Sequence, residues 1–232
     1  MTEIKSIQDS FDALGYVVDQ ELATILFLMT NLQKPLLLEG HPGVGKTEVA
    51  NILAAHLGTE LIRLQCYEGL DVHSAVYEWN YQKQLLSIKI QESNEKTDTE
   101  KEKHIFGKDF LMPRPLLKAI SGKDKPPVLL IDEIDRADEE FEAFLLELLS
   151  AYQISIPEFG TIKATHPPYV ILTSNRTREL SDALRRRCLY HWVNYPDFDK
   201  ELKIVHKHLP DIDRKLSAQL VHTIHVLRSK NL

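Results

Sequence analysis

The sequence predicts an α/β fold, a parallel sheet with helices packed on both faces in three layers, and three observations carry that prediction. Apolar runs at residues 35–39, 128–131 and 169–173 are too brief for helices and lack polar alternation, as strands buried on both faces do. Amphipathic segments of helical spacing alternate with these runs, which is the rhythm of βαβ units. A glycine-rich stretch, residues 40–45, joins the first run directly to a helix.

In chain order, residues 19–32 repeat apolar side chains at helical spacing behind an acidic start, and Pro35 stops that helix. After the first strand and the glycine stretch, Lys46–Leu57 places Val49, Ile52, Leu53 and Leu57 on one helical face, and Gly58 ends it. Ile62, Leu64 and Cys66 alternate with Arg63 and Gln65, a strand pattern. Residues 75–90, with Tyr77, Trp79, Tyr81, Leu85, Leu86 and Ile88, are expected to form a helix interrupted by a hairpin. Residues 91–103 (QESNEKTDTEKEK) are too charged to build a core and are expected to be a mobile loop. The strand at 128–131 leads into Asp132 and Glu133. Residues 138–151 are an amphipathic helix capped by Asp138, with Phe141, Phe144, Leu145, Leu148 and Leu149 inward. A hairpin is predicted over 154–164, turning near Phe159 and Gly160. The strand at 169–173 follows, then a fourth of its type at Leu189–Val193. Beyond Pro196 the pattern is helical throughout, so a domain boundary is expected near residues 195–197.

Composition bounds the function. At 232 residues, with 43% hydrophobic and 27% charged, the chain has room for one domain and part of a second around a real core, which excludes disorder as its dominant state. Asp plus Glu outnumber Lys plus Arg by 34 to 28, a net charge of −6 that counts against a dedicated nucleic-acid binder. The two cysteines, Cys66 and Cys188, have neither disulfide-framework nor zinc-site spacing. The first fifteen residues lack the basic and apolar segments of a signal peptide, and the longest apolar run, residues 22–29, is too short to span a bilayer. A soluble, cytoplasmic protein without a membrane span is the expectation.

The chemistry concentrates in Gly40-His41-Pro42-Gly43-Val44-Gly45-Lys46-Thr47, which fits the G-x-x-x-x-G-K-[ST] pattern of phosphate-binding loops. Such a match arises by chance about once in a hundred chains of this length. Its position after a strand and before a helix is what the mechanism needs. The loop amides and the positive end of the helix dipole would face phosphate oxygens. Lys46 would reach the β- and γ-phosphates, and the Thr47 hydroxyl would bind Mg²⁺. A carboxylate for the same metal should end a neighbouring strand. Asp132 supplies it, and Glu133 beside it would polarise an attacking water as general base. Asn175, closing the next apolar strand, is either a strand-end cap or the neutral amide that orients this water. Ser181 caps a short helix ending in Arg185, Arg186 and Arg187. These are either cations at a helix C-terminus or guanidiniums offered to a neighbouring subunit's γ-phosphate, with Arg187 the first choice and Arg186 the second.

With these residues in place, the chain resembles the AAA+ ATPases and, among them, the MoxR family, over nearly its whole length. EGHPGVGKT looks like the family's Walker A, LLIDEIDRA like its Walker B, TSN ending at Asn175 like sensor 1, and ALRRRC like the arginine-finger segment. Gly15-Tyr16-Val17-Val18 resembles the segment that packs on adenine. Residues 60–86 are similar to MoxR members linked to maturation of carbon monoxide dehydrogenase-type enzymes. In that clade an aromatic hairpin interrupts the second helix, and another precedes sensor 1. The resemblance implies a P-loop NTPase core with a 5-1-4-3-2 parallel sheet over residues 1–195, followed by a partial helical lid over 196–232. It also implies ATP and Mg²⁺ as ligands, ring assembly (commonly hexameric), and chaperone-like remodelling of a client such as a metalloenzyme. A von Willebrand factor A domain protein is the partner it implies. Relative to that family the sequence looks C-terminally short. Sensor 2 is therefore unassigned, with Arg228 in the last turn of the second lid helix, and Leu216, Leu220, Ile224 and Leu227 are expected to form an unpacked face. Two rival classes remain at this stage: a nucleic-acid-linked NTPase, which the acidic balance disfavours, and a nucleotide-gated scaffold with little turnover, which the intact Lys46, Asp132 and Glu133 disfavour.

Overall fold

A computed structural model of the chain describes residues 2–91, 97–122, 124–157 and 159–230. It opens with α1 (Thr2–Ala13), to which the sequence pattern assigned no element. The signal is there in Ile4, Ile7 and Phe11 at i, i+3 and i+7, and Phe11 is fully buried. In α2 (Gln20–Leu32), the Asp19 carboxylate caps the start by accepting the Leu22 N–H at 2.8 Å. Then come β1 (Leu36–Gly40), α3 (Lys46–Leu57) and β2 (Leu61–Gln65). Gly58 ends α3 in the left-handed conformation at φ 60°.

Residues 72–121 depart from expectation. In place of one interrupted helix, α4 (Val72–Val76) leads into β3 (Tyr77–Trp79) and α5 (Tyr81–Gln91). The partner of β3 is not the next segment but β4 (Leu111–Pro113), antiparallel to it with Trp79 opposite Leu111. No local hairpin forms because the pairing closes over the intervening helices. One of these is α6 (Asp98–Ile105), where a mobile loop was expected. Residues 92–96 of that expected loop lie outside the described residues. The buried anchors Trp79 and Phe110 explain why a charged segment folds there: ring contacts from Phe106 to Trp79 and from His104 to Phe110 fasten the end of α6 to them.

Next comes α7 (Pro115–Ser121), to which the sequence pattern assigned no element. The rest follows the pattern: β5 (Val128–Asp132), α8 (Glu139–Ala151), the hairpin β6 (Gln153–Ile156) and β7 (Gly160–Lys163), β8 (Tyr169–Ser174), α9 (Asp182–Arg185) and β9 (Leu189–Val193). Two helices, α10 (Phe198–His208) and α11 (Arg214–Ser229), complete the described chain.

The central sheet runs β2-β5-β8-β1-β9, and every pairing in it is parallel. Counting only these five strands in chain order, the sheet reads 5-1-4-3-2. Strand pleating divides the core. Leu36, Leu38, Val128 and Leu130 face Phe11, Leu26, Met29 and Leu53 on one side. On the other, Leu37, Leu129, Ile131 and Leu172 face Phe141, Leu145 and Leu116. This makes three layers, with the loops after β1, β5 and β8 gathered at one end, where ligands of such sheets bind. On α11, Val221 is fully buried while Leu216, Leu220 and Leu227 are exposed, as expected; Ile224 is half-buried, contrary to expectation. No described helix is long and apolar enough to cross a membrane.

Candidate active site

The loop after β1 is built by glycines. At Gly40 a Cβ would stand 2.3 Å from the Val193 carbonyl oxygen of the adjacent strand, so no larger residue fits there without moving the sheet. Gly45 opens α3 at φ 92°, a conformation that L side chains rarely adopt, and thereby turns the first amides of the helix toward the loop. Lys46 folds back into that loop and is only 7% exposed. Its ammonium donates to the Gly40 and His41 carbonyl oxygens at 2.7 and 2.9 Å and to Asn175 Oδ1 at 2.8 Å. Burial holds its pKa below the usual lysine value, against the opposite pull of Asp135, Asp132 and Glu133. A cavity of about 320 Å³ opens over these groups, lined among others by Pro42, Gly43, Gly45, Lys46, Thr47, Asp132, Glu133 and Asn175.

Parallel register brings the acids to the same place. Asp132 ends β5 and is 3% exposed. Its Oδ1 accepts hydroxyl protons from Thr47 at 3.0 Å and from Thr173 at 2.5 Å, and its Oδ2 pairs with the Arg63 guanidinium at 2.6 Å. A buried carboxylate beside a hydroxyl is a set of hard oxygen donors, and it fits a Mg²⁺-type cation that keeps water and phosphate as its other ligands. Glu133 sits in the left-handed region at φ 55°, and its N–H donates to the Thr173 hydroxyl at 2.9 Å. A non-glycine residue held there carries backbone strain on the order of 1–3 kcal/mol, and such strain clusters at working sites. Arg136 holds the Glu133 carboxylate at 2.8 Å.

Asn175 is positioned from behind by Asp135, a residue absent from the sequence-based assignment. Asp135 is 3% exposed, and its Oδ2 accepts the N–H groups of Asn175 at 3.2 Å and Thr177 at 2.9 Å, together with the Thr177 hydroxyl at 2.7 Å. Thr173 and Arg63, the two further partners of Asp132, were likewise unassigned. Their contacts cross from strand to strand, and only the register reveals them.

A second cavity of about 480 Å³ adjoins the loop, between α2, β9 and α10, lined by Tyr16, Val17, Val44, Gly45, Trp192 and Arg228 among others. Val17 lines it, while Val18 packs into the core beneath. The His41 side chain points away from the 320 Å³ cavity and stacks on Tyr195 at 5.0 Å between ring centroids, beside Trp192. Arg228 lies over the other residue of that stack, 4.5 Å from the Tyr195 ring, and pairs with Glu201 at 2.8 Å. The structure does not bring Arg186 or Arg187 to either cavity. Both are exposed, and Arg187, in the turn after α9, donates back to the Ala183 carbonyl oxygen of that helix at 3.0 Å. A third cavity of about 580 Å³, lined by Glu68, Asp138 and Arg178 among others, meets the site at Asp135, Arg136 and Thr177 and is lined by neither Lys46 nor Asp132.

Residues 35–188 match the family model of the AAA domain, dynein-related subfamily. Uncharacterized proteins of Staphylococcus haemolyticus and Staphylococcus aureus are each 29% identical over 175 residues, 73% of this chain and 59% of theirs. The chain thus spans about three fifths of the length of these curated relatives. Among solved structures, a candidate ATPase from Cytophaga hutchinsonii superposes with a TM-score of 0.60 at 19% identity, over 96% of this chain and 62% of that one. A point variant of Thermotoga maritima RuvB superposes at 0.52 and 18% identity, over 87% of this chain and 54% of that one. At such identities the likeness is one of fold.

Proposed function

Because the chain belongs to the AAA-domain family, in its dynein-related subfamily, we propose that its crevice binds Mg²⁺-ATP and hydrolyses the terminal phosphoanhydride bond. The observation that carries this reading is the convergence of Lys46, Thr47, Asp132, Glu133 and Asn175 on one cavity from three different strand ends. The loop amides and the Lys46 ammonium bind the β- and γ-phosphates, where Lys46 exchanges its carbonyl partners for phosphate oxygens. Thr47 and Asp132 would hold Mg²⁺, which when bound neutralises charge on the phosphates and helps align them. Glu133 takes a proton from the attacking water as the water's oxygen bonds to the γ-phosphorus and the bond to the β-γ bridging oxygen breaks, giving ADP and phosphate. Asn175, already 2.8 Å from Lys46, orients that water by its neutral amide. The adjoining cavity takes the nucleoside against Val17, with Val18 supporting it from the core.

The wider role rests on the resemblance stated above: a MoxR-type ATPase, cytoplasmic, with residues 1–195 as core and 196–232 as lid segment. It would assemble as a ring in which Arg187, or Arg186, completes the neighbour's site, and it would remodel a client complex together with a von Willebrand factor A partner. The test of the chemistry is Glu133→Gln. It should keep Mg²⁺-ATP affinity and lose ~10²–10⁴-fold in phosphate release, the usual cost of removing a general base. Unchanged turnover would remove Glu133 from the mechanism.

A further inference from the structure

The β2 strand carries an arginine whose partner is the metal carboxylate itself. Ile62 and Leu64 face the core, which turns Arg63 and Gln65 to the opposite side of an edge strand. The β2/β5 register sets Gln65 opposite Asp132 and Arg63 opposite Leu130, so Arg63 lies diagonal to Asp132 on the same face of the sheet. Its Nη2 donates to Asp132 Oδ2 at 2.6 Å and to Gln65 Oε1 at 2.7 Å. The pair is asymmetric. The Asp132 side chain is 4% exposed and the Arg63 side chain 53%.

That asymmetry decides what the pair can do. A carboxylate this buried is costly unless a cation or donors accompany it. Here two hydroxyls take Oδ1, and the guanidinium is the nearest donor to Oδ2, with the Thr47 hydroxyl 3.3 Å from that oxygen. The arginine, by contrast, reaches the carboxylate through one nitrogen and is half in water, so withdrawing it is cheap. Any second cation that uses Asp132 must share it with Arg63, or take Oδ2 from it, and meets a like charge at contact distance. We infer that Arg63 is a resident counter-cation of Asp132 that contends with the divalent metal for this carboxylate and so weakens the metal's affinity for the site. The inference rests on the Mg²⁺-ATP reading above and adds to it a residue that tunes the metal requirement. Arg63 touches neither the phosphates nor the attacking water in this role; it acts through Asp132.

The test compares wild type, Arg63→Gln and Arg63→Lys by equilibrium binding of a fluorescent ATP analogue, first in EDTA and then across a Mg²⁺ series. Wild type showing no Mg²⁺-dependent binding would overturn the functional reading itself, separately from this inference. Given such binding, Arg63→Gln should lower the half-saturating Mg²⁺ concentration about two- to fivefold, the scale of a half-exposed ion pair. Binding in EDTA should be unchanged. Arg63→Lys, which keeps the charge, should stay within about twofold of wild type. An unchanged or raised Mg²⁺ requirement in Arg63→Gln overturns the inference. So does weakened binding in EDTA, which would make Arg63 a phosphate contact. Far-ultraviolet circular dichroism and the melting temperature show whether each variant is folded, and Mn²⁺ binding followed by electron paramagnetic resonance repeats the comparison without relying on the fluorophore.

Discussion

Asp135 shows most directly how one side chain governs another. Its carboxylate gathers two backbone amides and a hydroxyl from residues 175–177, so the Asn175 side chain projects toward Lys46 with little freedom. Asp135→Ala should therefore cost about 3 kcal/mol of stability, the scale of a few hydrogen bonds to a charged group. Turnover should fall further than ATP affinity does, because Asn175 loses its aim while the phosphate loop stays intact. Denaturant unfolding and the ratio of the two kinetic changes check this; equal loss of affinity and turnover would make Asp135 a purely structural residue. Lys46, Thr47, Asp132 and Glu133 were legible because their spacing is local and their chemistry needs a loop between strand and helix. Asp135, Thr173 and Arg63 were not, since each acts on a residue of another strand or of the loop that follows it. An aspartate in a run of acids looks like any solvated acid until the neighbouring loop is placed beside it.

The elements of the central sheet were legible for a related reason. Strands buried on both faces write their burial into consecutive residues, as Leu36, Leu37 and Leu38 do, and caps such as Asp138 mark helix starts. The segment from α4 to β4 was not, because β3 finds its partner more than thirty residues away, which no local period encodes. β9 offers a prediction at this scale. His191 on that strand has its pKa lowered chiefly by burial, with Asp19 and Glu21 opposing and Lys200 assisting. With the folded pKa below the unfolded value of 6.5, the unfolded chain takes up the proton first. Stability should thus hold above pH 6.5 and fall as the pH drops from there toward the folded value. His191→Gln should flatten that part of the melting-temperature profile. An unaltered slope would assign the fall to other groups.

For the whole molecule, the geometry separates what one chain supplies from what it does not. Lys46, Asp132 and Glu133 stand together, while Arg186 and Arg187 face solvent away from both cavities. If these arginines serve a neighbour, mixtures of Arg187→Ala and Lys46→Ala subunits should recover part of the ATPase activity that each lacks alone, since some interfaces then hold both intact halves. A mixture as inactive as its parents, under conditions where subunits exchange, would exclude that arrangement.

The central claim is that the loop around Lys46 is a triphosphate site. Its most direct measurement is calorimetric titration of Mg²⁺-ATP into wild type and Lys46→Ala at matched concentration and salt. The account predicts saturable binding, near one nucleotide per chain, in wild type and no measurable binding in Lys46→Ala, because the loop amides alone do not offset the γ-phosphate charge. Equal affinity in the two proteins would contradict it and would place the nucleotide, if any, outside the crevice formed by β1, β5 and β8.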